Sequence, residues 1–200
     1  MKKIYLFIPI LLLVTLFSCE EKKGTTTVDT TQTKPMAINA SSTLRTLRDS
    51  ADKAWDKMIK SDDQKVDDLA RLLQEISYCK KYNALLLDSL NEVVKTLKDK
   101  RYKQLTMLSP EIDQYDELTN LVISRVKYLA RTTGELKSHP IAETLFNDIA
   151  AADNDVVRYR SLYDHFAMEY NDFLDKNKEL LGENVNDFPK LPLFSVIVNA

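Results

Sequence analysis

Glycine is scarce in this chain, with three among 200 residues, and proline is little commoner, with six. Sandwiches and barrels need a turn roughly every 8–12 residues, and those turns draw on both residue types. The shortage excludes such folds. Histidine and cysteine number two each, too few for a histidine-rich or thiolate-rich metal site. His-Glu-x-x-His, Cys-x-x-Cys, the phosphate-cradling Gly-x-x-x-x-Gly-Lys and the hydrolase Gly-x-Ser-x-Gly are absent, and with them the chemistry each spacing supports. No Glu-x-x-His occurs either, so the carboxylate di-metal bundles have no counterpart here. Charge of one sign is lacking as well. Lys and Arg total 28 against 30 for Asp and Glu, a formal net charge of −2, and a mixed, mildly acidic surface offers no electrostatic footprint for nucleic acid.

What is present begins at the N-terminus. Met1-Lys2-Lys3 precedes an apolar run from Ile4 to Phe17, and Leu16-Phe17-Ser18-Cys19 closes it. A basic start, a short apolar stretch and a small residue before cysteine make a bacterial lipoprotein leader. The run is shorter than the roughly 20 apolar residues a spanning helix needs, and Pro9 interrupts it. We therefore read 1–18 as a cleaved signal peptide and Cys19 as the lipidated residue. This predicts a protein of the bacterial cell envelope, held on the periplasmic or surface side of a membrane by its acyl chains. Loss of Lys2 and Lys3 with the leader takes the formal charge from −2 to −4. Cys79 is then the sole thiol, with no intramolecular disulfide open to it, and its leucine-rich surroundings mark it as a core residue.

Residues 19–42 read as a flexible polar tether. Thr25-Thr26-Thr27 and Thr30-Thr31-Gln32-Thr33 are β-branched without alternation and bury too little apolar surface to order themselves. The rest, 43–200, reads as one helical bundle with an extended tail. Leu44, Leu47, Ala51, Trp55 and Met58 recur at steps of three and four, and the rhythm resumes through Val66, Leu69, Leu73, Ile76, Leu86, Leu90, Val93 and Leu97. That is the apolar seam of helices packed on helices. One rod over 42–105 would be about 95 Å long, which predicts a break, either at Ser61-Asp62-Asp63-Gln64, a capping-box spacing, or near Ala70. A third helix should start at Ser109-Pro110 and stop at Gly134 in a left-handed turn. A fourth should follow Ser138-His139-Pro140 and end at Gly182. The proline-broken tail from Phe188 should lie extended over the bundle. The fold class predicted is all-α, an antiparallel up-and-down bundle of about four long helices.

The last helix carries Tyr159, Tyr163, Phe166, Tyr170 and Phe173 on one face. Rings at this spacing fill a bundle interior; a ligand-binding stripe is the other reading. Along the same helix Asn154, Val156, Arg160, Tyr163, Tyr170 and Asn171 fit the run E-N-x-I-x-x-x-R-x-x-Y-N-x-x-V-x-x-Y-N. Asp153 replaces its glutamate and Asp164 its first Y-N asparagine. Leu47-Arg48-Asp49 with Ala54-Trp55, and Phe188-Pro189, match two further segments in the same order. In these motifs the chain resembles the LemA family. The resemblance implies an antiparallel bundle of about four helices in a membrane-associated bacterial protein, and it names Trp55, Asn154, Arg160, Tyr163, Tyr170 and Asn171 as family-motif or interaction positions. It implies no activity. The chain departs from the family where Leu69 is followed by Ala70-Arg71 instead of Pro-Asn, and in its lipoprotein leader.

The function expected is therefore that of a lipid-anchored envelope protein that binds another envelope protein or scaffolds an assembly. No enzyme chemistry, cofactor or metal is expected, and no nucleic acid. The alternative is a small-ligand- or metal-binding bundle that uses the Tyr163/Tyr170 face. His165 with Glu169 reads as a solvated pair, His139 as a helix-edge residue, and the acidic set Asp148, Asp153, Asn154 and Asp155 as facing water or capping contacts.

Overall fold

The computed structural model describes residues 30–197. The leader, Cys19 and the first part of the expected tether lie outside them. The fold is all-α, with four long helices: α1 (Thr30–Ser77), α2 (Ala84–Leu97), α3 (Ser109–Thr132) and α4 (Pro140–Leu181). A short fifth helix, α5 (Phe194–Ile197), closes the described chain. No described helix is long and apolar enough to cross a membrane.

α1 differs from the sequence reading at both ends. It begins at Thr30, inside the stretch expected to be tether, and Ala40 is already buried. It then runs for 48 residues without a break, about 72 Å. Neither Ser61-Asp62-Asp63-Gln64 nor Ala70 interrupts it. Asp62 and Asp63 do not cap a new helix; both pair directly with Arg101. Gln64 bonds forward to Asp68 at 2.9 Å within the same helix. The break comes at 78–83, where Asn83 caps α2 by accepting from the Leu86 amide at 3.1 Å.

Register follows from the pairs that link the helices. Glu75 meets His139, Lys65 meets Asp153 and Trp55 meets Tyr163, so α1 and α4 run antiparallel along their length. Lys98 meets Asp67 and Arg101 meets Asp62, so the chain through α2 returns along α1. α2 and α3 hold only 14 and 24 residues and flank only the half of the rod nearest the 78–83 and 133–139 turns. There Leu72, Leu73, Ile76, Val126, Leu129 and Ile149 are buried together. The other half consists of the start of α1, the end of α4 and the returning tail.

Two helix ends differ in detail from expectation. α3 starts at Ser109, as a first-turn residue after Leu108, with Pro110 beside it. It stops at Thr132, but Gly134 opens a short 3-10 turn and is not left-handed. Gly182, with φ 56°, does end α4 in the left-handed region, where a side chain would be strained. The tail is extended through 188–193 and then coils into α5.

Candidate functional site

Tyr163, Tyr170, Asn171 and Arg160 fall in two structures, a tail clamp and a polar joint. The clamp is built by Tyr-Asx pairs seven residues apart on α4. A spacing of seven returns a side chain to the same helix face two turns later. Tyr170 Oη donates to the Pro189 carbonyl at 3.1 Å, and Tyr163 Oη donates to the Pro192 carbonyl at 3.1 Å. The neighbouring residues take the tail amides. Asn171 donates to the Leu191 carbonyl at 2.8 Å and accepts from the Leu191 amide at 2.9 Å. The Asp164 carboxylate accepts from the Phe194 and Ser195 amides at 2.8 Å each, and so caps α5. An extended, proline-broken segment has no internal partners for its backbone groups, and α4 supplies them.

The tail delivers Phe194 into an aromatic knot. Its ring stacks on Trp55 with centroids 6.2 Å apart, and meets Tyr102 and Tyr163 edge-on at 5.8 and 5.7 Å. Trp55 is thus packed among rings, though it keeps some exposure. The Arg160 guanidinium lies 5.0 Å over the Phe194 ring, a cation–π contact.

Arg160 also belongs to the joint. Its guanidinium grips Asp116 of α3 in two bonds of 2.7 and 2.8 Å and reaches the Tyr102 hydroxyl at 3.0 Å. Asp62 of α1 takes more. It accepts from Tyr115 at 2.5 Å and Arg101 at 2.7 Å, and pairs with Lys65 at 3.1 Å. Burial, and then the Asp62 charge, push the Tyr115 hydroxyl well above its usual range. Lys65 reaches Asp153 at 3.6 Å as well. These groups surround a cavity of about 140 Å³. A wider groove of about 850 Å³ runs outside it between α3 and α4, and Asp116 and Arg160 line both. Val157 and Met168 stand exposed along that groove.

Other sequence-selected residues fall elsewhere. Asn154 is exposed and lines neither the cavity nor the groove. His165 and Glu169 form an exposed pair at 3.5 Å. Asp155 pairs with Arg158; Asp153 alone of the acidic set Asp148, Asp153, Asn154 and Asp155 lines the cavity. Among the described residues, no group of three His, Cys, Asp or Glu is placed to hold a metal ion.

One constellation escaped the sequence reading. Cys79 Sγ lies 3.8 Å from His139 Nε2, and His139 Nδ1 lies 3.0 Å from Glu75 Oε2. Thiol, imidazole and carboxylate in this order resemble a nucleophile with its base and orienting group. The surroundings oppose that use. Cys79 is buried just past the C-terminus of α1, where the helix dipole disfavours a thiolate. Burial, and then the charges of Glu135 and Glu75, push the thiol up. The trio ties the 78–83 turn to the start of α4. The i,i+4 spacing of Glu75 and Cys79 was visible in sequence; the partner 60 residues away was not.

No family model matches this sequence, and no match was found among curated proteins or solved structures.

Proposed function

We propose that this chain is a lipid-anchored protein of the bacterial cell envelope that acts by contact, as an interaction or scaffolding module of LemA-like type. The observation that carries the reading is the leader: Lys2-Lys3, an apolar run of signal-peptide length and Leu16-Phe17-Ser18-Cys19. A helical rod on such an anchor suits reaching a partner near the membrane. The exposed Val157 and Met168 on the groove between α3 and α4 give that rod an apolar place for contact. The alternative, a ligand on the aromatic face of α4, loses its polar groups, since the Tyr163 and Tyr170 hydroxyls are engaged by tail carbonyls.

Cys19→Ala tests the anchor. It should abolish labelling by a fatty-acid analogue and shift the protein out of the membrane fraction; unchanged labelling and fractionation would refute it. The contact reading is tested with a photo-crosslinking residue at 157. One discrete crosslinked protein, absent when the residue is moved to exposed position 85, is expected. The same diffuse pattern from both positions would count against it.

A further inference from the structure

We propose that the pocket at the turn between α3 and α4 binds a small apolar carboxylate. The chain leaves α3 at Thr132, doubles back through a 3-10 turn at Gly134–Ser138 and enters α4 at Pro140. The gap where the two helices part is lined by Ala130 and Ala142, whose methyl groups leave it unfilled, and by Leu136, Pro140 and Phe146. Ala130, Leu136 and Ala142 are buried core residues, so the wall is held in place, while Pro140 and Phe146 keep exposed surface that a ligand would cover. The pocket has a volume of about 320 Å³. That is the small end of the range for ligand sites, with room for roughly ten water-sized groups.

The charges around this pocket decide what it takes. Arg131 and Lys137 stand exposed on its wall, and Glu143 is its one carboxylate. Among the described residues, none of these three side chains makes an ion pair or a hydrogen bond. The other carboxylates near the turn are engaged and do not line the pocket. Glu135 accepts from the Lys80 amide at 2.9 Å, and Glu75 is held by His139 at 3.0 Å. His139 does line it, but its two ring nitrogens face Glu75 and Cys79, so it offers the ligand only carbon. Two free cations beside an apolar wall suit a carboxylate on a compact hydrocarbon body. The body displaces water from Phe146 and Pro140, and the carboxylate takes the guanidinium or the ammonium. An amine of the same shape would meet two like charges.

The test is calorimetric titration of full-length protein in nonionic detergent, against a protein-free micelle blank, with phenylpropionate. Phenylpropanol and phenylpropylamine supply the same body without the negative charge. Saturable binding of one equivalent of the acid is expected, with the alcohol at least about fivefold weaker and no saturable binding of the amine. Arg131→Gln and Lys137→Gln should each weaken the acid about two- to fivefold, and Glu143→Gln should tighten it by about the same factor. All three side chains are exposed, so these substitutions leave the core intact. Absence of saturable binding of the acid overturns the proposal. So does equal binding of acid and alcohol, or acid binding that none of the three substitutions changes, which would place the ligand elsewhere.

Discussion

Near the 78–83 turn, α1 and α4 are flanked by α2 and α3, and Leu72, Leu73, Ile76, Val126, Leu129 and Ile149 close on one another. Beyond Trp55 the flanking helices are gone, and the third wall is a tail fastened by Tyr163, Asp164, Tyr170 and Asn171. Each half has to bury the same kind of apolar stripe. The first does so with four amphipathic helices, whose contacts are non-directional and tolerate sliding. The second has two helices, which cannot enclose a core, and it recruits an irregular strand whose polar backbone must be satisfied one group at a time. Hydrogen bonds are directional, so the clamp fixes the register of the tail where apolar contact alone would not. The joint of Asp62, Arg101, Tyr115, Asp116 and Arg160 sits where the two solutions meet.

The largest effect should come from the joint. Asp62→Ala leaves Lys65, Arg101 and Tyr115 without their shared acceptor. Removing one partner of a buried charge network costs about 3–5 kcal/mol, and both halves should weaken together. Asp63, at 39 % exposure, contacts the same Arg101, yet its replacement by alanine should cost about 1 kcal/mol or less. Denaturant unfolding measures both. Equal effects would show that the joint is a surface network and that the halves are not coupled through it.

Phe194→Ala should come next, at about 3 kcal/mol for a buried ring. Here the comparison sharpens, because the loss should be local. Amide exchange should speed along 40–58 and 163–181, and stay slow along 69–76 and 122–129. Asn171→Ala, which cuts two bonds to Leu191, should loosen the same segments by about 1–3 kcal/mol. Uniform loss of protection in both variants would mean that the rod is one cooperative unit and that the division into halves has no energetic content.

These expectations rest on features of uneven legibility in the sequence. The 3/4 spacing of Leu69, Leu73 and Ile76 gave α1, and Gly182 gave the end of α4, because periodicity and a left-handed stop are local signals. The capping-box spacing at Ser61 misled, because Asp62 and Asp63 serve Arg101, 39 and 38 residues away, and distant pairing leaves no local trace. Similarly the tether reading failed at Thr30, where a polar helix start resembles a polar linker in composition. Tyr163 and Tyr170 stood out by their spacing on one helix face, and Asn171 and Phe188-Pro189 by resemblance, but nothing in the pattern said that the two groups hold each other. Thr119 had no signal at all. Its significance is an unpaired hydroxyl beside a cavity, which exists only once three helices are assembled.

The smallest effect expected is a pH dependence, and it also bears on the clamp. Burial pushes Tyr163 up to about 12, against an ordinary value near 10. Burial raises Tyr102, Tyr115 and Tyr170 as well. The folded state therefore holds these phenolic protons more tightly than the unfolded chain. Their contribution to stability is complete below pH 10 and is lost as pH rises from 10 through the folded values. The cause at Tyr163 is concrete: the phenolate cannot donate to the Pro192 carbonyl and would lie buried beside aromatic rings. Tyr163→Phe should cost about 1 kcal/mol at neutral pH through the lost bond. It should also flatten the alkaline decline, since one of the titrating groups is gone. Parallel unfolding curves for wild type and variant between pH 9 and 12, each monitored by tyrosinate absorbance, decide this. An equally steep decline in the two proteins would show that Tyr163 ionises freely, and that the tail is held less firmly than its hydrogen bonds imply.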